Sequence, residues 1–122
     1  MIIIYESVIT ELGKDIDSLL SADMLVIFNE TAPDELKEIS AIHRHEPWKS
    51  EVEVGDQLVI GDDAYEITCV GGKVNETLHT LGHCTISFSG DTETDMPGTL
   101  CVEKKALPIL QEEVAIKFIR TK

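Results

Sequence analysis

Basic side chains are scarce in this chain: ten lysines and arginines stand against 23 aspartates and glutamates, a formal net charge of −13 over 122 residues. A surface of that sign repels phosphates, which disfavours nucleic acid and anionic membrane as partners and favours a basic protein. Cysteine is sparse as well. Cys69, Cys84 and Cys101 lie far apart, are odd in number and form no C-x-x-C pair, which points to a reducing compartment rather than a disulfide framework. No apolar run approaches the roughly 20 residues that span a bilayer. The opening "MIIIYESVITELG" lacks a basic n-region and meets Glu6 too early for a signal peptide. Together these absences predict a cytoplasmic protein with no inserted membrane segment.

Several catalytic signatures are missing too. "GDDAY" and "VGGKV" lack the pattern and helix context of a phosphate loop, and no G-x-S-x-G elbow occurs. None of the cysteines sits in a nucleophile signature, and no two carboxylates are spaced as a glycosidase pair.

What is present is a globular composition. Hydrophobic residues make up 43% against 27% charged, and mean hydropathy is near zero, as expected of one domain spanning residues 1–122. Most segments read as short strands. "IIIYESVI" and "MLVIF" are apolar on both faces, as in strands buried on two sides. "QLVI", "GDD" and "AYEITCV" read as a hairpin whose second arm places Tyr65, Ile67 and Cys69 on one face. "HCTISFS" sets Cys84, Ile86 and Phe88 against His83, Thr85 and Ser87, and "TLCVE" and "VAIKFI" complete the strands. Helical signals are short. "TAPDELKEIS" offers Thr31 as a cap and pairs Leu36 with Ile39. "NETLHTLG" offers Asn75 as a cap, pairs Leu78 with Leu81 and stops at Gly82, and "KDIDSLLSA" adds a turn or two. The predicted fold is all-β, a single-domain barrel-like structure with a few short helices.

Four histidines remain to be explained, two of them in "AIHRHEP". On a strand, His43 and His45 project from the same face. With His79 and His83 they supply enough nitrogen for a zinc site, although Gly82 interrupts the helix between the latter pair. A small zinc-binding β-barrel protein or enzyme is therefore one reading, and an acidic non-catalytic regulator is another. An ordinary surface histidine is the plain reading of His43. A single exposed imidazole can also act as a nucleophile on phosphorus, with a second imidazole orienting it or bonding the phosphate.

The segments "APDELKEISAIHRH" and "LHTLGHCTISFSGDTETDMPG", with "IIYESVITELG", "GDQLVIGDDAYEITCVG" and "MPGTLCVE" in order around them, resemble the glucitol/sorbitol-specific IIA component of the bacterial phosphoenolpyruvate-dependent sugar phosphotransferase system. The resemblance covers essentially the whole chain. It implies a barrel-like β fold and an acceptor histidine at His43, which takes a phosphoryl group from the carrier protein HPr. The group then passes to the IIB part of the membrane permease, whose IIB/IIC components phosphorylate and import the hexitol. The resemblance implies no metal or cofactor, with His45 and His83 as possible phosphate neighbours. Ile42, Pro47 and Trp48 form an expected apolar docking surface, and the phosphate is expected to meet backbone N–H groups. In "LQEEVAIKFI" a glutamate replaces the turn glycine expected before the last strand.

Overall fold

Alternation along short β-branched runs decides which side chains fill the interior. The computed structural model describes residues 1–121. Its strands are β1 (Ile2–Leu12), β2 (Met24–Asn29), β3 (Ser40–His43), β4 (Gln57–Ile60), β5 (Asp63–Val70), β6 (Cys84–Ser87), β7 (Thr99–Val102) and β8 (Ala115–Arg120). They close a barrel in the order β1-β3-β2-β6-β7-β5-β4-β8. Closure pairs every strand on both sides and removes the exposed edges of an open sheet. The predicted all-β barrel is therefore the observed one. Three short helices, α1 (Ile16–Leu20), α2 (Asp34–Lys37) and α3 (Val74–Leu81), occupy connections between strands.

The predicted faces are the buried ones. Tyr65 and Ile67 point inward from β5, as do Cys84 and Ile86 from β6 and Phe88 just beyond it, whereas Cys69, past a register shift after Ile67, is buried beside Cys101 outside the main core. All three cysteines are buried and free. The β4–β5 hairpin pairs Ile60 with Asp63 around Gly61 and Asp62, and Gly61 takes φ +59°, which glycine adopts without a Cβ penalty. Strand β2 is buried on both faces, for a reason the sequence pattern shares. Leu25 and Ile27 enter the main core, while Phe28 packs outside the barrel with Ala32 and Ile42, covered by Leu36 of α2.

Two expected helix caps act elsewhere. Pro33 occupies the cap position of α2, and Thr31 instead donates its amide and hydroxyl to Asn29 Oδ1. Lys73 precedes α3, and the Asn75 side chain accepts from the Val52 amide and donates to the Val52 carbonyl. Asn75 therefore ties a loop to the helix rather than starting it. At Gly82, by contrast, the predicted stop is observed: the residue takes φ +60° and closes α3 in the left-handed conformation. The glutamate standing where a turn glycine is expected is Glu113, which adopts φ +72°. The backbone thus keeps a glycine-like turn before β8 with a side chain that costs it roughly 1–2 kcal/mol.

Strand β1 is long enough to pair with two neighbours. It runs against β8 through Val8 and against β3 from Ile9 onward, with register shifts between Ile3 and Tyr5 and between Ile9 and Glu11. The first of these bulges has a consequence for the site. It lets the consecutive residues Ile4 and Tyr5 both be buried, which strict alternation forbids.

Candidate functional site

Strand β3 ends at His43, so the strand geometry expected to align His43 with His45 stops before His45. Parallel pairing with β2 sets His43 beside Asn29, and antiparallel pairing with β1 sets it opposite Ile9. Beyond the strand, residues 44–49 continue along β1: the Arg44 amide donates to the Val8 carbonyl at 3.1 Å, and the Lys49 amide to the Ile4 carbonyl at 2.9 Å. That path lays Trp48 flat on Tyr5, with ring centroids 3.9 Å apart and planes at 12°.

His43 is not on the surface. Its relative exposure is 0%, which overturns the expectation of an exposed imidazole. Nε2 lies 2.7 Å from the Gly82 carbonyl and Nδ1 lies 2.8 Å from the Tyr5 hydroxyl. A carbonyl can only accept, so Nε2 carries the proton and donates it to Gly82, while Nδ1 accepts from Tyr5 O–H. Burial lowers the His43 pKa from its ordinary value, opposed by the Gly82 and Arg44 carbonyls and the Glu30 charge. The ring is therefore neutral in this fold near pH 7. Burial also raises the Tyr5 pKa to about 12, so the hydroxyl stays protonated.

The approach of Gly82 requires glycine twice over. Its φ is +60°, and an added Cβ would lie 2.6 Å from His43 Cε1 and 2.8 Å from Nε2. The α3 stop thus also makes the seat for the imidazole.

The other histidines surround this seat unevenly. His45 is exposed; Asn29 Nδ2 lies 3.4 Å from its Nδ1, and its amide donates to both Glu30 carboxylate oxygens at 3.0 Å. His83 follows Gly82, stacks on Phe28 at 4.4 Å and donates from Nδ1 to the Ile27 carbonyl. His79 donates from Nδ1 to the Asn75 carbonyl and leans on Trp48 at 5.4 Å. The four rings are engaged in separate contacts and do not converge. Among the described residues no group of three or more His, Cys, Asp or Glu side chains is arranged to hold a metal ion.

The expected docking surface changes as well. Ile42 is fully buried in the outer cluster, because α2 covers that face of β3, and cannot meet a partner. Pro47 is exposed, and Trp48 is half-buried between Tyr5, Phe118 and His79. Sequence reasoning passed over Tyr5, Asn29, Glu30 and the carbonyl of Gly82. Only Gly82 carried a signal, as a helix stop.

The fold and site define a small closed β-barrel that holds one buried imidazole beneath a glycine turn. The comparisons identify which kind. Residues 4–117 match the model of the family described as "PTS system glucitol/sorbitol-specific IIA component", and the chain belongs to that family. It is 38% identical over 102 residues to the glucitol/sorbitol-specific EIIA component of the PTS system of Escherichia coli (strain K12), spanning 84% of this chain and 83% of that protein. The Shigella flexneri counterpart gives the same identity and coverage. The crystal structure of a PTS system IIA component from Enterococcus faecalis V583 superposes with a TM-score of 0.83 at 30% identity, covering 94% of this chain and 99% of that one. The chain is thus a component of the sugar phosphotransferase system. None of its helices is long and apolar enough to cross a membrane, among the described residues.

Proposed function

We propose that the chain acts in the cytoplasm as a single phosphocarrier domain, accepting a phosphoryl group from phospho-HPr on His43 and passing it to IIB for uptake of glucitol/sorbitol. One observation carries the reading beyond family membership: burial keeps the His43 ring neutral, and its two nitrogens have unequal surroundings. A neutral imidazole is the nucleophilic form. Nδ1 is enclosed by the Tyr5 hydroxyl and the Arg44 carbonyl, whereas Nε2 meets the carbonyl of the glycine turn between α3 and β6. Nε2 is therefore the attacking atom. Its lone pair forms the new N–P bond as the N–P bond of the donor phosphohistidine breaks, and that electron pair returns to the donor ring.

The Gly82 carbonyl occupies the approach to Nε2, so transfer requires this turn to withdraw and Nε2 to lose its proton. In this reading the phosphate neighbours, once the turn opens, are Asn29 and His45, which contact each other beside the strand end, and His83, next to Gly82 in sequence. Positioning and preorganised donors supply most of the catalysis in such a transfer.

Incubation with labelled phosphoenolpyruvate, enzyme I and HPr, followed by peptide mapping, tests the reading. Acid-labile, base-stable label on His43 is expected. His43→Gln retains a donor toward Gly82 and should accept no label. His45→Ala should remain competent, slowed roughly tenfold to a hundredfold if its ring supports the phosphate. Full labelling of folded His43→Gln overturns the assignment, and loss confined to His45→Ala moves the acceptor to His45.

A further inference from the structure

The Tyr5 hydroxyl lies 2.8 Å from His43 Nδ1 and also 2.8 Å from the Arg44 carbonyl. It has one proton to donate and can serve only one of them at a time. The two choices correspond to the two neutral forms of the ring. With the proton on Nε2, Gly82 accepts it and Tyr5 O–H points to Nδ1. With the proton on Nδ1, that N–H donates to the Tyr5 oxygen, Tyr5 O–H turns to the Arg44 carbonyl, and Nε2 presents a free lone pair. Ser7 Oγ donates to the Arg44 carbonyl at 2.6 Å in either case. At this end of the ring the two arrangements differ by the proton on Nδ1 and a rotation of the Tyr5 hydroxyl, with the same heavy-atom contacts.

We propose that Tyr5 is a positioning residue for phosphoryl transfer, holding His43 Nδ1 in both neutral forms so that Nε2 becomes the nucleophile without the ring leaving its seat. The inference rests on His43 being the acceptor. The β1 bulge turns Tyr5 inward, and Trp48 clamps its ring from the other side. Once the Gly82 turn withdraws, solvent takes the Nε2 proton and supplies one to Nδ1. Nε2 then bonds phosphorus as the donor nitrogen leaves with its electron pair. The phosphorylated ring, protonated on Nδ1, continues to donate to the Tyr5 oxygen. The raised Tyr5 pKa fits a hydroxyl that keeps its proton throughout.

Tyr5→Phe keeps the ring that stacks on Trp48 and removes only the hydroxyl. Transfer from phospho-HPr is measured over a range of donor concentrations, with ¹⁵N resonances of the His43 ring recorded in parallel. The expected result is a maximal rate lower by roughly tenfold to a hundredfold, an unchanged half-saturating donor concentration, and a displaced Nδ1 resonance. Replacement of Tyr5 by 3-fluorotyrosine, which retains a hydroxyl, should restore the rate and shift Nδ1 in proportion to its greater acidity. Wild-type rates in folded Tyr5→Phe overturn the inference while leaving His43 as acceptor. Label mapping outside His43 in the wild type overturns both. If Tyr5→Phe does not fold, the fluorotyrosine protein decides, and an unmoved Nδ1 resonance rejects the role.

Discussion

At the scale of single residues, burial changes what His43 contributes. A surface imidazole removed by mutation costs little, but this ring satisfies the Gly82 carbonyl and the Tyr5 hydroxyl inside the protein. His43→Ala should therefore lower stability by about 1–3 kcal/mol in urea titrations, the cost of leaving buried polar groups without partners. Stability equal to wild type would show that the ring is not seated this way. The lowered His43 pKa also has a pH signature. Below about 6.5 the unfolded chain protonates this ring while the folded one resists, so the unfolded state gains. The contribution is complete above about pH 6.5 and is lost as pH falls toward the lowered folded value. Stability of wild type measured from about pH 7 to about pH 5 should fall more steeply than that of His43→Gln. Parallel curves would contradict a buried neutral ring.

At the scale of elements, the α3 stop and the imidazole seat are one structure. Gly82 ends the helix in a left-handed conformation and brings its carbonyl onto Nε2. Gly82→Ala meets two penalties: left-handed strain of roughly 1–2 kcal/mol, and contact of the new Cβ with His43 at under 3 Å. A lowered melting temperature is expected, together with phosphoryl transfer reduced by more than the stability loss explains, because the ring is pushed from its position. An alanine variant that melts lower yet transfers normally would separate the helix stop from the site. The long β1 strand works similarly, since its bulge at Ile3/Tyr5 breaks the inward–outward alternation and aims Tyr5 at a histidine 38 residues away.

At the scale of the whole molecule, a net charge of −13 acts at a distance as well as on itself. Self-repulsion opposes the compact state, and a field of this sign attracts basic proteins. Raising ionic strength from about 10 mM to about 500 mM shortens the screening length from roughly 30 Å to under 5 Å. Thermal stability should rise over that range, while the association rate with the phosphoryl donor, followed by stopped flow, should fall. A salt-independent association rate would mean that acidic side chains do not steer the encounter.

Much of the architecture was legible in the chain itself. Two-residue alternation in "AYEITCV" and "HCTISFS" assigned the inward faces of β5 as far as Ile67 and of β6, and a two-sided apolar run marked β2, because these are local consequences of strand geometry. The pattern around "APDELKEISAIHRH" carried the family and the histidine on which to focus. What only the tertiary structure decided lies at the points where local periodicity fails. Alternation cannot foresee that β3 stops at His43, that a bulge puts Tyr5 inside, or that α2 covers Ile42. Nor can it show that Gly82, 39 residues from His43 in sequence, delivers a carbonyl to Nε2. The imidazole is buried and neutral because barrel closure brings β1, β3 and the α3–β6 turn together. That convergence depends on strand order and register, which spacing along the chain does not encode.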